Sequence, residues 1–322
     1  MRLLGGLLLA AVLVAVAVVG WGAWGWYGAS TVEEDTSFIV PSGASLSSVA
    51  DKLEDEGLIG SAEMFTLRAK LLGSGDPIKA GEFLISGGAS GSAILSKLQS
   101  NDVLRRYVTI PEGMPSILVY ETLMAEPLLT GEIEIPAEGS VLPESYDFQR
   151  GESRQAVLDR MQSAMTAALA EEWEKRGPNA AVSTPREALI LACIVEKETA
   201  LPAERTKVAG LYSNRLRQGI MLQADPTIIY PITKGKPLGR RIRQSEIAAV
   251  NDYNTYSMLG LPKAPITNPG RASIAAVLNP AETSALYMVA DGSGGHAFAD
   301  TIEEHNANVE KWYALRRERG EM

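Results

Sequence analysis

The chain has little with which to cross-link itself. Of its 322 residues one is cysteine, Cys193, and two are histidine, His296 and His305. A single cysteine excludes an internal disulfide framework and any C-x-x-C site. It stands in an apolar run, where a thiol serves packing. No cluster of ligand types surrounds the two histidines, so no metal site is expected, and no cofactor. Positive charge is also short: 30 Lys and Arg against 39 Asp and Glu give a net charge of −9. That balance argues against nucleic acid as a partner. There is no internal repeat and no low-complexity domain. The length suits one large or two modest domains.

Charge is absent altogether from Leu3 to Val32, and the apolar core Leu3–Tyr27 has 25 residues. That is enough to span a hydrocarbon layer of about 30 Å. Arg2 precedes the run, and Glu33, Glu34 and Asp35 follow it. By the positive-inside tendency the N-terminus stays cytoplasmic and everything beyond about residue 30 lies outside. Trp21, Trp24, Trp26 and Tyr27 would form an aromatic belt at the outer interface. A cleaved signal peptide is the rival reading, with small residues at Gly28-Ala29-Ser30, but the run is long for a signal core. The expectation is a single-pass inner-membrane protein with a periplasmic main part. No cysteine lies near a cleavage point, which excludes a lipoprotein.

Beyond the run, Phe38–Val40 reads as a strand. A helix carries Leu46, Val49, Ala50 and Leu53 on one face. Ser61 caps another helix with Met64, Phe65, Leu67 and Leu71, and a returning strand spans residues 78–85. The order is strand, helix, helix, strand. A short helix follows at Ala93–Leu98 and a strand at Tyr107–Ile110. Residues 125–140 read as loop, and Gln155 to Arg176 as an amphipathic helix with Val157, Met161, Met165 and Leu169 along one stripe.

The most informative stretch is Thr184–Tyr230. Thr184 is placed to cap a helix, Pro185 fits its first position, and Glu187 sits three residues after the cap. Ala188 to Val195 is apolar on every side, as in a core helix. Glu196, Lys197 and Glu198 follow at once. Acids at the end of a buried helix are either a solvated helix end or carboxyls whose pKa is raised by desolvation and by the negative end of the helix dipole. A carboxyl still protonated near neutral pH is what a glycosidic bond needs as general acid. Glu196 and Glu198, two apart, point to opposite sides of the helix. A second helix runs from Pro202 to Arg217, with Val208, Tyr212 and Leu216 on one face and Gly219 as its C-cap. Asp225 reads as the cap of a third, short helix. Glu198, Asn214, Gln223, Asp225 and Thr227 therefore fall at element ends, where rigid sites are built. Tyr253, Asn254 and Tyr256 mix aromatic and amide groups that either stack on sugar rings or find structural partners. Lys234–Arg243 reads as a solvated loop. Leu286–Ala290 and His296–Ala299 flank a glycine-rich turn as a hairpin. The last helix starts near Thr301 with Ile302, Val309 and Trp312 turned inward.

Several words of the sequence occur in family order: IVEKET at Ile194–Thr199, ERTKVAGLYSNRL at Glu204–Leu216, LQADPTIIY at Leu222–Tyr230, YNTY at Tyr253–Tyr256, GLP at Gly260–Pro262, ITNPG at Ile266–Gly270 and DGSGGHAF at Asp291–Phe298. On them the chain resembles the endolytic murein transglycosylases, the MltG or YceG-like proteins. PEGM at Pro111–Met114 is similar too, whereas Leu142-Pro143-Glu144-Ser145-Tyr146 departs from the family's usual Leu-Pro-Asp-Thr-Tyr.

The resemblance implies an α+β protein: residues 1–32 as cytoplasmic tip and transmembrane helix, 33–104 as a small LysM-like βααβ module and linker, and 105–322 as an α+β catalytic domain with a lysozyme-like helical site. It implies Glu198 as the catalytic acid; beside it, Asn214, Gln223, Asp225, Thr227, Tyr230, Tyr253, Asn254 and Tyr256 are the expected substrate-binding positions. It implies peptidoglycan glycan strands as substrate, cut between N-acetylmuramic acid and N-acetylglucosamine to leave 1,6-anhydro ends. The inner membrane and peptidoglycan synthases (penicillin-binding proteins) are implied as partners. A hydrolytic muramidase and a non-catalytic glycan-binding scaffold remain as alternatives. The βααβ module either binds glycan or only orients the catalytic part.

Overall fold

The structure is a computed structural model that describes residues 32–321 and, before them, residues 12–14, 16, 17, 20 and 22–28. Most of the expected membrane-spanning run lies outside the described residues. Among the described residues no helix is long and apolar enough to cross a membrane. The chain divides into two compact units. The first holds the described residues up to Arg106 together with Phe148–Arg150, and the second holds Tyr107–Asp147 and Gly151 onward.

In the first unit β1 (Thr36–Val40) leads into α1 (Leu46–Asp55) and α2 (Ala62–Leu72), and β2 (Gly81–Ile85) returns. β2 pairs antiparallel with β1, Phe38 opposite Phe83. Two side chains stop the helices from fraying at their starts: Ser45 accepts from the Ser48 amide and Ser61 from the Met64 amide. α3 (Gly91–Gln99) closes the unit under a core of Phe38, Leu53, Phe83, Ile94 and Leu98. Trp26 joins that core. It is 1% exposed and its ring meets Phe65 at 5.6 Å, so it packs inside the unit and is no member of an aromatic belt. Glu82 is buried in a strand and would be costly there without partners. Arg106 grips it with two bonds of 2.7 and 3.0 Å, and Arg150 adds one of 3.0 Å. The Arg106 bonds in particular, with those of Ser37 and Arg150, hold its pKa down to about 2 against the desolvation that would raise it.

β3 (Arg106–Thr109) pairs with β4 (Ser145–Phe148) in a second two-stranded sheet, with α4 (Ser116–Ala125) between them in sequence. The rest is helical: α5 (Arg154–Glu174), α6 (Pro185–Glu198), α7 (Pro202–Gln218), α8 (Pro226–Thr233), a single turn α9 (Gln244–Ile247) and α10 (Arg271–Leu278). The hairpin β5 (Tyr287–Ala290) and β6 (His296–Ala299) and the terminal α11 (Ile302–Glu318) follow. The architecture is α+β with small sheets.

α6 is the axis of the second unit. Thr184 accepts from the Glu187 amide at 3.2 Å and Pro185 occupies the first turn, as the sequence predicts. Every residue from Ile190 to Val195 is buried, and α5, α7, α8 and α10 all pack on this helix. Cys193 is part of that core. Its thiol donates to Thr267 O, and burial pushes its pKa up to about 12, which leaves it inert. α11 departs from expectation: none of its residues is buried, Ile302 is 45% exposed, and Val309 and Trp312 are only half covered.

Candidate active site

α6 delivers Glu198, half-buried, to a cleft in the second unit. The carboxyl lines two cavities at once, of about 240 and about 250 Å³, and Asp225 lines both with it. The first is polar, with Tyr212, Arg215, Gln223, Tyr256 and His296 in its wall; the second is more apolar, with Ile229, Tyr230 and Ile266. The acidic pair therefore sits at a waist between two compartments.

Burial drives the Glu198 pKa to about 8, and the neighbouring Asp225 charge pushes in the same direction. A hydrogen bond with Tyr212 and the Arg215 charge pull against them. Glu198 is thus mostly protonated at neutral pH. One of its oxygens, Oε1, is buried without a hydrogen-bond partner. A buried polar atom without a partner is rare in a folded protein and calls for an explanation.

Asp225 corrects the sequence expectation. It stands at the N-cap of α8 but its side chain makes no capping bond. It accepts a 2.7 Å bond from the Tyr256 hydroxyl instead, which aims it into the cleft. Gln223 approaches the same wall with a left-handed backbone, φ 52°, a conformation that is uncommon for a side-chain-bearing residue and is found at functional sites. Its amide N–H donates to Thr255 O at 3.1 Å and its Oε1 lies 3.3 Å from Arg215 Nη1.

Of the nine positions singled out from sequence, Glu198, Gln223, Asp225 and Tyr256 line the first cavity and Tyr230 the second. Tyr253 backs Tyr230, ring on ring at 5.0 Å. The other three line neither cavity. Asn214 spends its amide on Thr283 O and Ala285 O. Thr227 is fully buried, bonded to Ala224 O and the Thr255 hydroxyl. Asn254 is fully buried, donating to Ile247 O and Ala249 O.

Tyr212, Arg215 and His296 were not anticipated. Tyr212 and Arg215 lie three apart on α7, a spacing that puts two side chains on one helix face and is readable from sequence. Arg215 is held rigidly: Nε donates to Leu286 O at 2.6 Å and Nη1 to Leu222 O at 2.9 Å. His296 is oriented from α7 as well. Glu204 Oε1 accepts its backbone N–H and Oε2 contacts ring Nδ1, both at 2.8 Å. Glu196 faces the other way, as predicted, accepting the Gly270 amide at 2.9 Å.

The arrangement is that of an α+β enzyme built around a carboxylic acid. The chain belongs to the YceG-like family, whose sequence pattern matches residues 38–311. It is 27% identical over 324 residues to the endolytic murein transglycosylase of Bacillus subtilis strain 168, covering 89% of each chain. It is 26% identical to the endolytic murein transglycosylase of Streptococcus pneumoniae serotype 2, matching 84% of this chain and 57% of that longer protein. A crystal structure of a YceG-like protein from Listeria monocytogenes is similar at a TM-score of 0.52 and 26% identity, covering 85% of this chain and 99% of that one.

Proposed function

We propose that the chain is an endolytic peptidoglycan lytic transglycosylase with Glu198 as its catalytic acid. The observation that carries the assignment is a carboxyl whose pKa is about 8 and whose Oε1 lacks a partner, at the waist of a two-compartment cleft. A glycan strand laid across the waist puts one sugar in each compartment. Glu198 gives its proton to the glycosidic oxygen as the bond between muramic acid C1 and that oxygen breaks. The resulting carboxylate then takes the proton of the muramic acid C6 hydroxyl as that oxygen closes on C1. The nucleophile belongs to the substrate and is already close, so no water is consumed. Asp225 keeps Glu198 protonated beforehand and stabilises positive charge developing at C1.

A second reading has one observation in its favour. Asp225 supplies a second carboxylate to the same cleft, which a hydrolytic muramidase would use to activate water. Purified sacculi digested with the full chain decide between them by the mass of the new ends: anhydro ends support lytic cleavage, and ends carrying added water support hydrolysis. Glu198→Gln should produce neither, and a fully active Glu198→Gln protein would remove Glu198 from the mechanism.

The remainder of the reading concerns placement. The uncharged run Leu3–Tyr27 acts as a single inner-membrane anchor, with the enzyme outside and beside the membrane-bound synthases that supply nascent strands. Residues 33–104 form a LysM-like module that holds glycan, and residues 105–322 form the catalytic domain. The support for glycan holding is a groove of about 520 Å³ between the turn before α1 and the loop from α2 to β2, lined by Ala44, Leu46 and Gly73–Ile78. A Ser74→Trp substitution in that groove should weaken binding of the full chain to glycan strands; unchanged binding would leave the module an orienting role.

A further inference from the structure

α2 is used on only one side by the first unit. It buries Ala62, Phe65 and Ala69 in the core, while Leu67, Leu71 and Leu72 are left 48%, 72% and 49% exposed. At the helical repeat these three leucines flank Arg68 in one stripe. Scattered apolar residues on a surface need no explanation, but a stripe on one face of one helix does.

Arg68, inside the stripe, reaches the end of the apolar N-terminal run: its Nη1 donates to Gly25 O at 2.9 Å. The next residue, Trp26, is locked into the core against Phe65. Its neighbours Trp24 and Tyr27 are turned out, 78% and 63% exposed. The run is therefore not joined to this unit by a free tether. It ends on α2, pinned by a buried indole and by a backbone hydrogen bond. Each residue of helix advances about 1.5 Å, so a run that enters lipid a few residues before Gly25 brings the leucine stripe to the lipid surface. Tryptophan and tyrosine favour that boundary.

We infer that α2 lies on the membrane: Leu67, Leu71 and Leu72, with Trp24 and Tyr27, form a lipid-docking patch that seats the first unit on the outer face of the bilayer. The occupant is the boundary between headgroups and acyl chains, as for other apolar helix faces at membrane surfaces. The groove lined by Ala69, Lys70 and Gly73 uses the opposite side of α2, so docking leaves it open. The inference rests on the reading of Leu3–Tyr27 as an anchor.

The test uses the full chain in vesicles of phosphatidylcholine and phosphatidylglycerol. Nitroxide labels go on Leu67→Cys, Leu71→Cys and, as control, the exposed Asp51→Cys of α1. Cys193 is buried and stays unlabelled. Labels at 67 and 71 should collide several-fold more with oxygen than with a water-soluble nickel chelate, and the label at 51 should show the reverse. In a Leu67→Glu/Leu71→Glu protein, whose substitutions lie outside the core, a label on Leu72→Cys should switch from oxygen to nickel. Water-facing labels at 67 and 71 on a chain that resists alkaline carbonate extraction would overturn the docking and spare the anchor. A chain released by carbonate would overturn both. Spin–spin broadening that disappears on dilution with unlabelled protein would show a second copy on the patch, and would also overturn lipid docking.

Discussion

The Tyr256 hydroxyl donates to Asp225 Oδ1 at 2.7 Å, and that bond decides which way the aspartate faces. An aspartate at the start of a helix ordinarily folds back onto the helix's free amides, a bond worth about 1 kcal/mol. Here that stabilisation is given up, and the carboxylate is held beside Glu198, whose proton it helps retain. Glu198 is desolvated there, while Asp225 accepts the hydroxyl.

Glu198→Gln should stabilise the protein, increasingly with pH. The unfolded chain releases this proton near the ordinary 4.5, whereas the folded protein keeps it to about 8. Between those values the folded state binds more protons, so wild-type stability falls as pH rises, and it levels off above pH 8. Glutamine keeps the shape and removes the titration. Denaturant melts of both proteins should diverge by about 2–4 kcal/mol at pH 8 and converge near pH 4. Parallel curves would mean that Glu198 is ordinary.

The proton-donor role sets a limb on the activity profile. The kcat/KM of the wild-type enzyme should decline on the alkaline side with a midpoint near pH 8. Asp225→Asn removes a charge that raises the Glu198 pKa, so the limb should move to lower pH. A limb that stays in place in the variant would show that the aspartate acts on the substrate alone.

Arg215→Met should shift the same limb the other way, because the guanidinium lowers the Glu198 pKa. It should also cost stability. Leu286 O, Met221 O and Leu222 O, now at 2.6, 3.1 and 2.9 Å from its nitrogens, would lose their donor. About 2–4 kcal/mol is expected, read as a drop in Tm.

Gly210→Ala tests the frame that carries these groups. Alanine favours an ordinary helix interior over glycine by about 1 kcal/mol. On α7 the new Cβ would stand 2.5 Å from Ala281 O and 2.8 Å from Thr283 Cγ2. That segment is tied down by Ala281 N–H to Thr206 O at 3.0 Å and by Asn214 to Thr283 O at 2.7 Å. Overpacking should win, with a net loss of about 1–3 kcal/mol in chemical denaturation.

How far the sequence could be read depended on whether a residue's role was local. Thr184, Pro185 and Glu187 announced α6, Gly219 ended α7, and the glycines at 292, 294 and 295 marked the hairpin, because caps and turns act within a few residues. α4 and α10 gave no such notice. They open on Pro115 and Gly270 without a side-chain cap, and their short apolar runs suit a strand as well as a helix. Within the site, Glu198 was legible from its place after an apolar helix. Asn214, Thr227 and Asn254 carry polar groups that suit a sugar equally well, and only the carbonyls and hydroxyls they meet in the fold show where those groups are spent. His296 was silent for the same reason: its orientation comes from Glu204, far away in the chain.

The grip of Arg106 and Arg150 on Glu82 has a consequence for the order in which the protein is made. A chain that emerges N-terminus first presents Arg106 soon after Glu82, but Arg150 only after all of Tyr107–Asp147 has appeared. Until then the buried carboxylate is held by one arginine of its two. The first unit is thus completed during synthesis only after a stretch that belongs to the second has been made. A gene cut after Arg106 would encode that unit permanently in its unfinished form.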